Sequence, residues 1–338
     1  MPAGDCVMVD RTLHDAALAG DADLLRELMP YVAADDIDAA DETGLTSLAY
    51  ATRAGHTDAV AALLAGGADP DHEYGFGDRA LHDAPNAAIA RLLLEAGADP
   101  RDLPFESRRR ILGLPPAPSM DLMTATVLDF RRGQRRRFGT RNPESMDDPF
   151  WLAMIRSGVN AWLADQHFKQ DVVHPVWCAE RFGQSLTFLP DGRIVQVAGE
   201  HEDYYDADFC IYNDVFVHSP DGNVHIHGYP ENLFPPTDFH TATLIGDTIW
   251  LVGSLGYDAP RSDRTPVFAL DTQSFGIERV DVAGESPGWI YRHRAALVGA
   301  NAIRISDGKI VRGSGKASHV RNEDAFVLDA KRATWSKA

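Results

Sequence analysis

A stretch of sixteen residues, GEHEDYYDADFCIYND at positions 199–214, concentrates side chains that could do chemistry. It holds six carboxylates, one histidine, three tyrosines and one cysteine. Carboxylate and imidazole groups bind hard and borderline divalent cations, so one interpretation is a metal or catalytic site. The candidate metal ligands are His201, Asp206 and Asp208 from this stretch and His240 and His293 from later in the chain.

The other interpretation is a surface loop that contacts a partner through Glu202, Asp203, Tyr204 and Tyr205. Asp206 and Asp208 are spaced as in a cation loop, but the glycine and glutamate of an EF-hand are missing. The chain also lacks zinc-type Cys and His spacing and any HExxH, P-loop or Rossmann motif. The sequence thus favours a binding protein without a cofactor over an enzyme. A bound divalent metal is the alternative that the sequence leaves open.

Composition predicts a soluble protein of 338 residues, long enough for separate cores. No apolar run of membrane-spanning length and no signal peptide is visible, so we expect a cytoplasmic location. Three cysteines without CxxC spacing agree with reduced thiols. The net charge of −18 is uneven: residues 1–100 carry −14 and residues 101–141 carry +6. An acidic surface of this kind repels nucleic acid and favours a basic protein partner.

Three segments of the N-terminal region repeat. TLHDAALAGDADLLRELM (12–29), TSLAYATRAGHTDAVAALLAGGADPD (46–71) and ALHDAPNAAIARLLLEAGADPR (80–101) align at Leu13, Leu48 and Leu81. Each helix pair is too small to bury its own apolar face, so neighbouring pairs must stack. The segments resemble the ankyrin repeat, with its TPLH-like opening and GADP turn. The resemblance implies an α-helical solenoid that binds proteins through its turn tips and concave face.

The resemblance also assigns roles to residues. His14 and His82 occupy the TPLH histidine position, which implies a structural hydrogen bond. Pro85 should distort the third repeat, and 103–114 should form a capping helix. The candidate partner-binding residues in this region are Asp41, Glu42, Asp71, Glu73, Tyr74 and Phe76.

A basic connector at 115–148 follows, and then two amphipathic helices, PFWLAMIRSG and VNAWLADQHF, with Gly158 as the predicted stop between them and Asn160 as the predicted cap of the second. We predict Trp151, Met154 and Ile155 on the buried face of the first helix and Trp162, Leu163 and Phe168 on that of the second. The connector arginines are Arg131, Arg132, Arg135, Arg136, Arg137 and Arg141. They favour an interdomain contact with carboxylates, and binding of a polyanion is the alternative. Nucleic acid is otherwise not expected.

From Arg181 onward the pattern is that of strands. Two apolar runs and a short turn occur in each of 181–200, 238–254 and 292–314. A third run follows at 213–219, 265–271 and 323–329, with Phe216, Phe268 and Phe326 in register. Fourth strands are predicted at 224–229, 274–280 and 333–335. The pattern resembles the kelch repeat, which implies four-stranded β-propeller blades.

The pattern also departs from kelch. A Gly-Gly pair usual after the second strand is replaced by Ala198-Gly199, Val252-Gly253 and Arg312-Gly313. About three blades are visible, plus HPVWCAE (174–180), which resembles a last strand. Propellers generally need about four to eight blades. We therefore expect an incomplete or small propeller whose open edges are covered by the connector and its helices or meet another chain.

The sequence thus predicts a multidomain α + β protein with an ankyrin domain at 1–114, a connector with two helices at 115–170 and kelch-like blades at 171–338. The favoured function is a non-catalytic module that binds a basic protein, as an antitoxin or immunity protein or as a regulatory adaptor. The alternative is a metal-dependent enzyme or small-molecule binder with its site on the propeller face. No membrane contact is expected, and a homo-oligomer through open blade edges stays open.

Overall fold

The computed structural model describes residues 13–34, 36–75, 77–100, 103–169, 172, 174–202, 209–259, 261–312 and 318–338. The chain forms two compact units that divide between Pro116 and Ala117. The first unit is helical, and the second has helices followed by β-sheets. The predicted connector therefore folds with the β-region from residue 117 onward. No helix among the described residues is both long and apolar enough to span a bilayer.

The first unit consists of short helices in pairs. Helical residues 13–19 precede α1 (Ala22–Leu28), α2 (Ser47–Ala54), α3 (Thr57–Ala65), α4 (Ala80–Asp83), α5 (Ala87–Glu95) and α6 (Phe105–Ile111). The hydroxyl of Thr46 caps α2 by accepting from the Ala49 amide, and Asn86 caps α5 in the same way. Gly55, at φ 79°, ends α2 in the left-handed region, which a glycine enters without a Cβ penalty.

Helices of this length are marginal alone, so packing between repeats must hold them. Leu13, Leu48 and Leu81 occupy equivalent positions, and each is at most 2% exposed. A ring nitrogen of His14 lies 3.1 Å from the carbonyl oxygen of Leu45 in the next repeat. That contact is the structural hydrogen bond predicted for His14.

The third repeat is shortened, as predicted. Its first helix, α4, has four residues because Ala84 precedes Pro85 and adopts an extended conformation at ψ 118°. The helix α6 follows within the predicted capping segment 103–114 and buries Arg108 and Arg109.

The helices of the second unit are α7 (Val127–Gly133), α8 (Pro149–Ser157) and α9 (Ala161–Phe168). The predicted stop at Gly158 and cap at Asn160 are confirmed, since Gly158 has φ 66° and Asn160 accepts from the Leu163 amide. The buried face predicted for α8 is confirmed as well. For α9 the prediction is wrong at Trp162, which is 54% exposed because the buried face runs through Ala161, Ala164 and Phe168.

The strands in chain order are β1 (Glu144–Ser145), β2 (Ser185–Phe188), β3 (Ile194–Val197), β4 (Glu200–His201), β5 (Cys210–Ile211), β6 (Val215–His218), β7 (Val224–Gly228), β8 (Thr241–Ile245), β9 (Thr248–Val252), β10 (Val267–Asp271), β11 (Ile277–Arg279), β12 (Ala283–Gly284), β13 (Trp289–Tyr291), β14 (Arg294–Val298), β15 (Ala302–Ser306), β16 (Lys309–Val311), β17 (His319–Arg321), β18 (Phe326–Asp329) and β19 (Thr334–Lys337).

Three sheets each contain four antiparallel strands in chain order. They are β2-β3-β6-β7, β8-β9-β10-β11 and β14-β15-β18-β19, and none of the sheets formed by the described residues closes on itself. The third strands carry Phe216, Phe268 and Phe326, all buried as the in-register pattern predicts. Smaller sheets pair β13-β16-β17 and β4-β5.

Apolar side chains join neighbouring sheets. Val195 and Val217 of the first sheet share a buried cluster with Leu251 of the second. Val252 of the second sheet and Ile303 of the third share another. The three sheets therefore pack face to face in chain order.

One backbone feature recurs just before each first strand. Gly183, Phe239 and Arg292 have φ values of 61°, 48° and 51°, a region that Phe and Arg seldom adopt. The Phe239 amide donates to the Gly183 carbonyl, and the Arg292 amide donates to the Phe239 carbonyl, both at 2.9 Å. This chain of hydrogen bonds ties the three sheets together and offsets the local strain.

The third sheet corrects the predicted end of its second strand. That strand, β15, ends at Asp307-Gly308, where φ is 59° and 78°, the same conformation as Ala198-Gly199 at 56° and 95°. The prediction of Arg312-Gly313 at this point is wrong because residues 309–311 form β16 of a separate sheet. Gly313 lies outside the described residues. Residues 174–180 are not a strand either.

The outer edges of the three sheets are covered. The strand β1 pairs with β7, and β12 pairs parallel to β19. At β11 the side chain of Asn142 takes the place of a strand: its amide donates to the Ile277 carbonyl at 2.8 Å, and its oxygen accepts from the Ile277 amide at 2.9 Å. These contacts satisfy edge groups that would otherwise recruit another chain.

Candidate functional site

The turn tips of the first unit hold the carboxylates predicted to bind a partner, and Asp41 is turned inward. Its carboxylate accepts from the Thr43 amide at 2.8 Å, the Thr43 hydroxyl at 2.7 Å and the Tyr50 hydroxyl at 2.7 Å. Although desolvation acts in the opposite direction, these hydrogen bonds lower the pKa of Asp41 to about 2. Asp41 therefore organises the turn.

Asp71 has a similar structural role. Its Oδ1 accepts from the Asp99 amide of the next turn at 2.9 Å and from the Arg79 guanidinium at 3.3 Å. In the preceding repeat the Asp38 carboxylate accepts from the Asp69 amide at 3.1 Å. The two contacts link successive turns in the same way.

Tyr74 is also buried and has a hydrogen-bond partner within the first unit. It is 5% exposed, and its hydroxyl donates to the Asp83 carboxylate at 2.8 Å. Arg53 completes the group with an ion pair to Asp83 at 2.6 Å. Burial, followed by the hydrogen bond to Asp83, raises the pKa of Tyr74.

Acidic side chains remain exposed beside these fixed groups. Glu42 and Glu73 lie in the turns, and Asp78 precedes α4 with its carboxylate 3.5 Å from His82. We call Glu42, Glu73 and Asp78 the tip acids. They present negative charge on a framework that internal hydrogen bonds hold rigid. Phe76 lies outside the described residues.

The stretch at 199–214 is described in part. Asp203, Tyr204, Tyr205, Asp206 and Asp208 lie outside the described residues, and Glu202 is exposed.

The three candidate histidine ligands that the structure describes serve as hydrogen-bonding residues. A nitrogen of His201 lies 3.0 Å from the Glu180 carbonyl. His240 contacts the Ser185 hydroxyl at 2.9 Å, and His293 contacts the Thr241 hydroxyl at 2.8 Å. Burial lowers the pKa of His240 to about 4, so this ring is neutral at pH 7.

His240 and His293 therefore occupy equivalent positions in successive sheets, where each bonds to the hydroxyl at the start of the preceding first strand. Within the described ranges no group of three or more His, Cys, Asp or Glu is arranged to hold a metal.

The structure reveals a buried carboxyl pair that sequence reasoning missed. Asp238 is 0% exposed, and its carboxylate accepts from the Gly256 amide at 2.6 Å and the Ser254 hydroxyl at 3.3 Å. The Glu200 carboxyl lies close enough to Asp238 for the two groups to interact electrostatically. Burial, and then the charge of Asp238, raise the pKa of Glu200 to about 8, so the pair holds one proton at pH 7. A partial signal was the position of Asp238, two residues before the candidate ligand His240.

We expect Glu200→Gln to flatten the pH dependence of stability. The pKa of Glu200 is raised from 4.5 to about 8 on folding, so stability falls as pH rises between these values. The slope is up to ~1.4 kcal/mol per pH unit. Glutamine does not titrate, so the variant should gain stability relative to the wild type at pH 8 compared with pH 5.

Thermal unfolding of the second unit at pH 5, 6.5 and 8 measures this effect. The control is Glu202→Gln, which removes an exposed carboxylate two residues away. A pH profile of Glu200→Gln parallel to that of the wild type would show that the pair holds no proton.

The connector arginines take several positions. Arg136 donates to the Ile211 carbonyl and, at 3.3 Å, to the Tyr257 hydroxyl, and its guanidinium lies 4.6 Å from the ring centre of Phe138. Arg137 pairs with Asp148 at 2.8 Å. Both arginines thus serve the packing of the second unit. The other four, Arg131, Arg132, Arg135 and Arg141, are exposed.

Comparison with known proteins assigns the first unit. The family model described as Ankyrin repeats (3 copies) matches residues 13–103. It is not accompanied by a kelch match, and no curated protein matches the sequence. The repeat spacing, the stacked helix pairs and the family match agree. The N-terminal region of this chain consists of three ankyrin repeats.

Proposed function

We propose that this chain is a non-catalytic binding protein whose ankyrin unit holds a basic segment of a partner protein. Ankyrin repeats are generally protein–protein interaction modules. The observation that carries the proposal is that the turn carboxylates are of two kinds, internally bonded and exposed. Asp41 and Asp71 are fixed by internal hydrogen bonds, while the tip acids remain exposed.

Charge supports a basic partner. Residues 1–100 contain nineteen Asp or Glu and five Arg, a balance of −14. Such a field attracts cationic surfaces over distances of about a Debye length, and it repels nucleic acid. Rigid turns add specificity, because carboxylates carried on a fixed backbone lose less conformational entropy when a partner docks.

We further infer that the three four-stranded sheets are kelch-like blades of an incomplete or small propeller. The recurring left-handed residue before each first strand and the recurring histidine-to-hydroxyl contact support this inference. In this arrangement the second unit is a further recognition module. Its 199–214 segment connects β3 and β6, the second and third strands of the first sheet. Loops at this place are common binding elements.

Two biological forms fit the proposal: an immunity or antitoxin role that neutralises a basic protein, and a regulatory adaptor. The identity of the captured partner separates them. A cytoplasmic location belongs to the same proposal and is supported by the unpaired thiols of Cys178 and Cys210.

Binding of a defined cationic probe tests the charge argument. A fluorescent 20-residue peptide rich in Lys and Arg is titrated with the full chain at 50 and 300 mM NaCl. We expect Glu42→Gln/Glu73→Gln/Asp78→Asn to weaken binding by about tenfold, a change of ~1.4 kcal/mol. The matched control, Glu27→Gln/Asp58→Asn/Glu95→Gln, removes the same number of charges from α1, α3 and α5 and should bind as the wild type does. Equal weakening in both variants would contradict a site at the turn tips.

A further inference from the structure

The last 48 residues are basic, although the chain as a whole is acidic. Residues 291–338 contain ten Lys or Arg and four Asp or Glu, a balance of +6 against −18 for the whole chain. The described lysines and arginines of this segment are all exposed. Within the described part of this segment, Arg332 forms an ion pair with Asp329 and Lys337 forms one with Asp324.

Two of these cations face each other. Lys309 of β16 and Arg321 of β17 are directly opposite in the antiparallel register. Like charges at opposed positions destabilise a sheet. Both side chains are exposed, and neither has a carboxylate within ion-pair distance among the described residues. The fold therefore gains nothing from this pair, whereas an anion placed between them would remove the repulsion.

The strand that carries Arg321 is also an edge strand. In its three-stranded sheet β17 pairs with β16 on one side, and within the described ranges no strand pairs with its other side. This edge differs from those of β7, β11 and β19, which β1, Asn142 and β12 cover. An open edge offers backbone N–H and C=O groups to an extended chain.

We propose that the free edge of β17 binds an extended acidic peptide segment by strand addition, with carboxylates that contact Lys309 and Arg321. Alternate residues of an added strand point to the same face, so acidic residues at every second position bring their charges to one side. Arg312, exposed at the end of β16, extends the cationic surface.

A peptide fits this surface better than a nucleic acid. Single-stranded nucleic acid is bound by exposed aromatic rings together with cations. The aromatic residues of β13 in the same sheet, Trp289 and Tyr291, are each 6% exposed. Trp289 donates a hydrogen bond to the Leu255 carbonyl, and the Tyr291 hydroxyl is hydrogen-bonded to His319. They are not available to stack on bases.

The test uses a fluorescein-labelled ten-residue peptide of alternating Glu and Thr, with a Gln/Thr peptide as control. Anisotropy with the full chain at 50 and 300 mM NaCl gives the affinity. We expect Lys309→Gln/Arg321→Gln to weaken binding by at least about tenfold, as expected for lost hydrogen bonds between charged groups. The matched control, Arg26→Gln/Lys331→Gln, removes two exposed cations elsewhere and should change the affinity by less than about twofold.

Two further readouts make the result decisive. Hydrogen exchange of the His319 and Arg321 amides should slow when the Glu/Thr peptide is bound, since these two amides point away from β16 and an added strand would cover them. Lys309→Gln/Arg321→Gln should melt at or above the wild-type temperature, because it relieves a repulsion, so lost binding would not reflect unfolding.

Three outcomes would overturn the proposal: no binding of the Glu/Thr peptide, unchanged binding by Lys309→Gln/Arg321→Gln, and tighter binding of a ten-nucleotide oligo-dT than of the peptide. The tip-acid variant should bind the Glu/Thr peptide normally, so failure here is distinguishable from failure of the ankyrin-unit proposal.

Discussion

Replacing Arg181 by Met should lower the free energy of unfolding of the second unit by about 3–5 kcal/mol. The side chains of Arg181 and Asp214 are 0% and 5% exposed and form an ion pair. The guanidinium also donates to the carbonyls of Cys178 at 2.8 Å and Ala198 at 3.2 Å. Methionine would leave the Asp214 charge buried without a cation, and that desolvation penalty is the source of the loss.

Aromatic rings add to this site. The guanidinium carbon lies 3.5 Å from the ring centre of Tyr212, 4.7 Å from Phe216 and 5.1 Å from Trp177. A planar guanidinium can stack on these rings and bind a carboxylate through two nitrogens, which an ammonium cannot. We therefore expect Arg181→Lys to be destabilised as well, by less than Arg181→Met.

Urea denaturation followed by tryptophan fluorescence measures both variants. The double variant Arg181→Met/Asp214→Leu also removes the unpaired charge of Asp214, so it should recover part of the lost free energy of unfolding. If Arg181→Met were as stable as the wild type, the Arg181–Asp214 ion pair would be dispensable. If the double variant were less stable than Arg181→Met, the unpaired Asp214 charge would not be the source of the loss.

Replacing Trp177 by Ala is the second change with a large expected effect, again about 3–5 kcal/mol. Trp177 is 0% exposed and stacks on Trp151 of α8, with ring centres 4.7 Å apart and planes at 5°. Trp177 also packs against Phe216 of the first sheet, with ring centres 5.8 Å apart. Trp177 therefore joins the connector helices to the β-region, and its removal leaves a cavity between them.

Trp162→Ala is the matched control, because this tryptophan is 54% exposed on α9. It should change stability by no more than about 0.5 kcal/mol, as surface substitutions do. Calorimetry of the three proteins separates the effects. Equal destabilisation by Trp177→Ala and Trp162→Ala would contradict the role assigned to the stack.

Much of the fold follows from sequence repetition. The equivalence of Leu13, Leu48 and Leu81 identifies the helix pairs, since buried positions recur wherever repeats stack. Phe216, Phe268 and Phe326 identify the third strands for the same reason. Local signals were sufficient where chemistry acts locally, as with Gly158 and Asn160.

The errors occur where tertiary context decides. Both Asp307-Gly308 and Arg312-Gly313 satisfy the pattern of a glycine after a strand, and only strand pairing selects the first. Trp162 is apolar enough for a core, but its position on the α9 surface leaves it outside. Residue spacing also cannot reveal the internal hydrogen-bond partners of Asp41, Asp71 and Tyr74, whose role in partner binding stays a prediction. The Glu200–Asp238 pair brings together residues 38 positions apart.

Affinity enrichment from lysate at 50 and 300 mM NaCl, quantified by mass spectrometry, tests most directly whether the ankyrin unit selects a basic protein. The wild-type chain is compared with the tip-acid variant and with the α1, α3 and α5 control variant. We predict that wild type and control retain the same basic protein at low salt, that high salt weakens its recovery, and that the tip-acid variant loses it. Recovery of the same protein by all three chains, or of no protein by the wild type, would contradict the proposal.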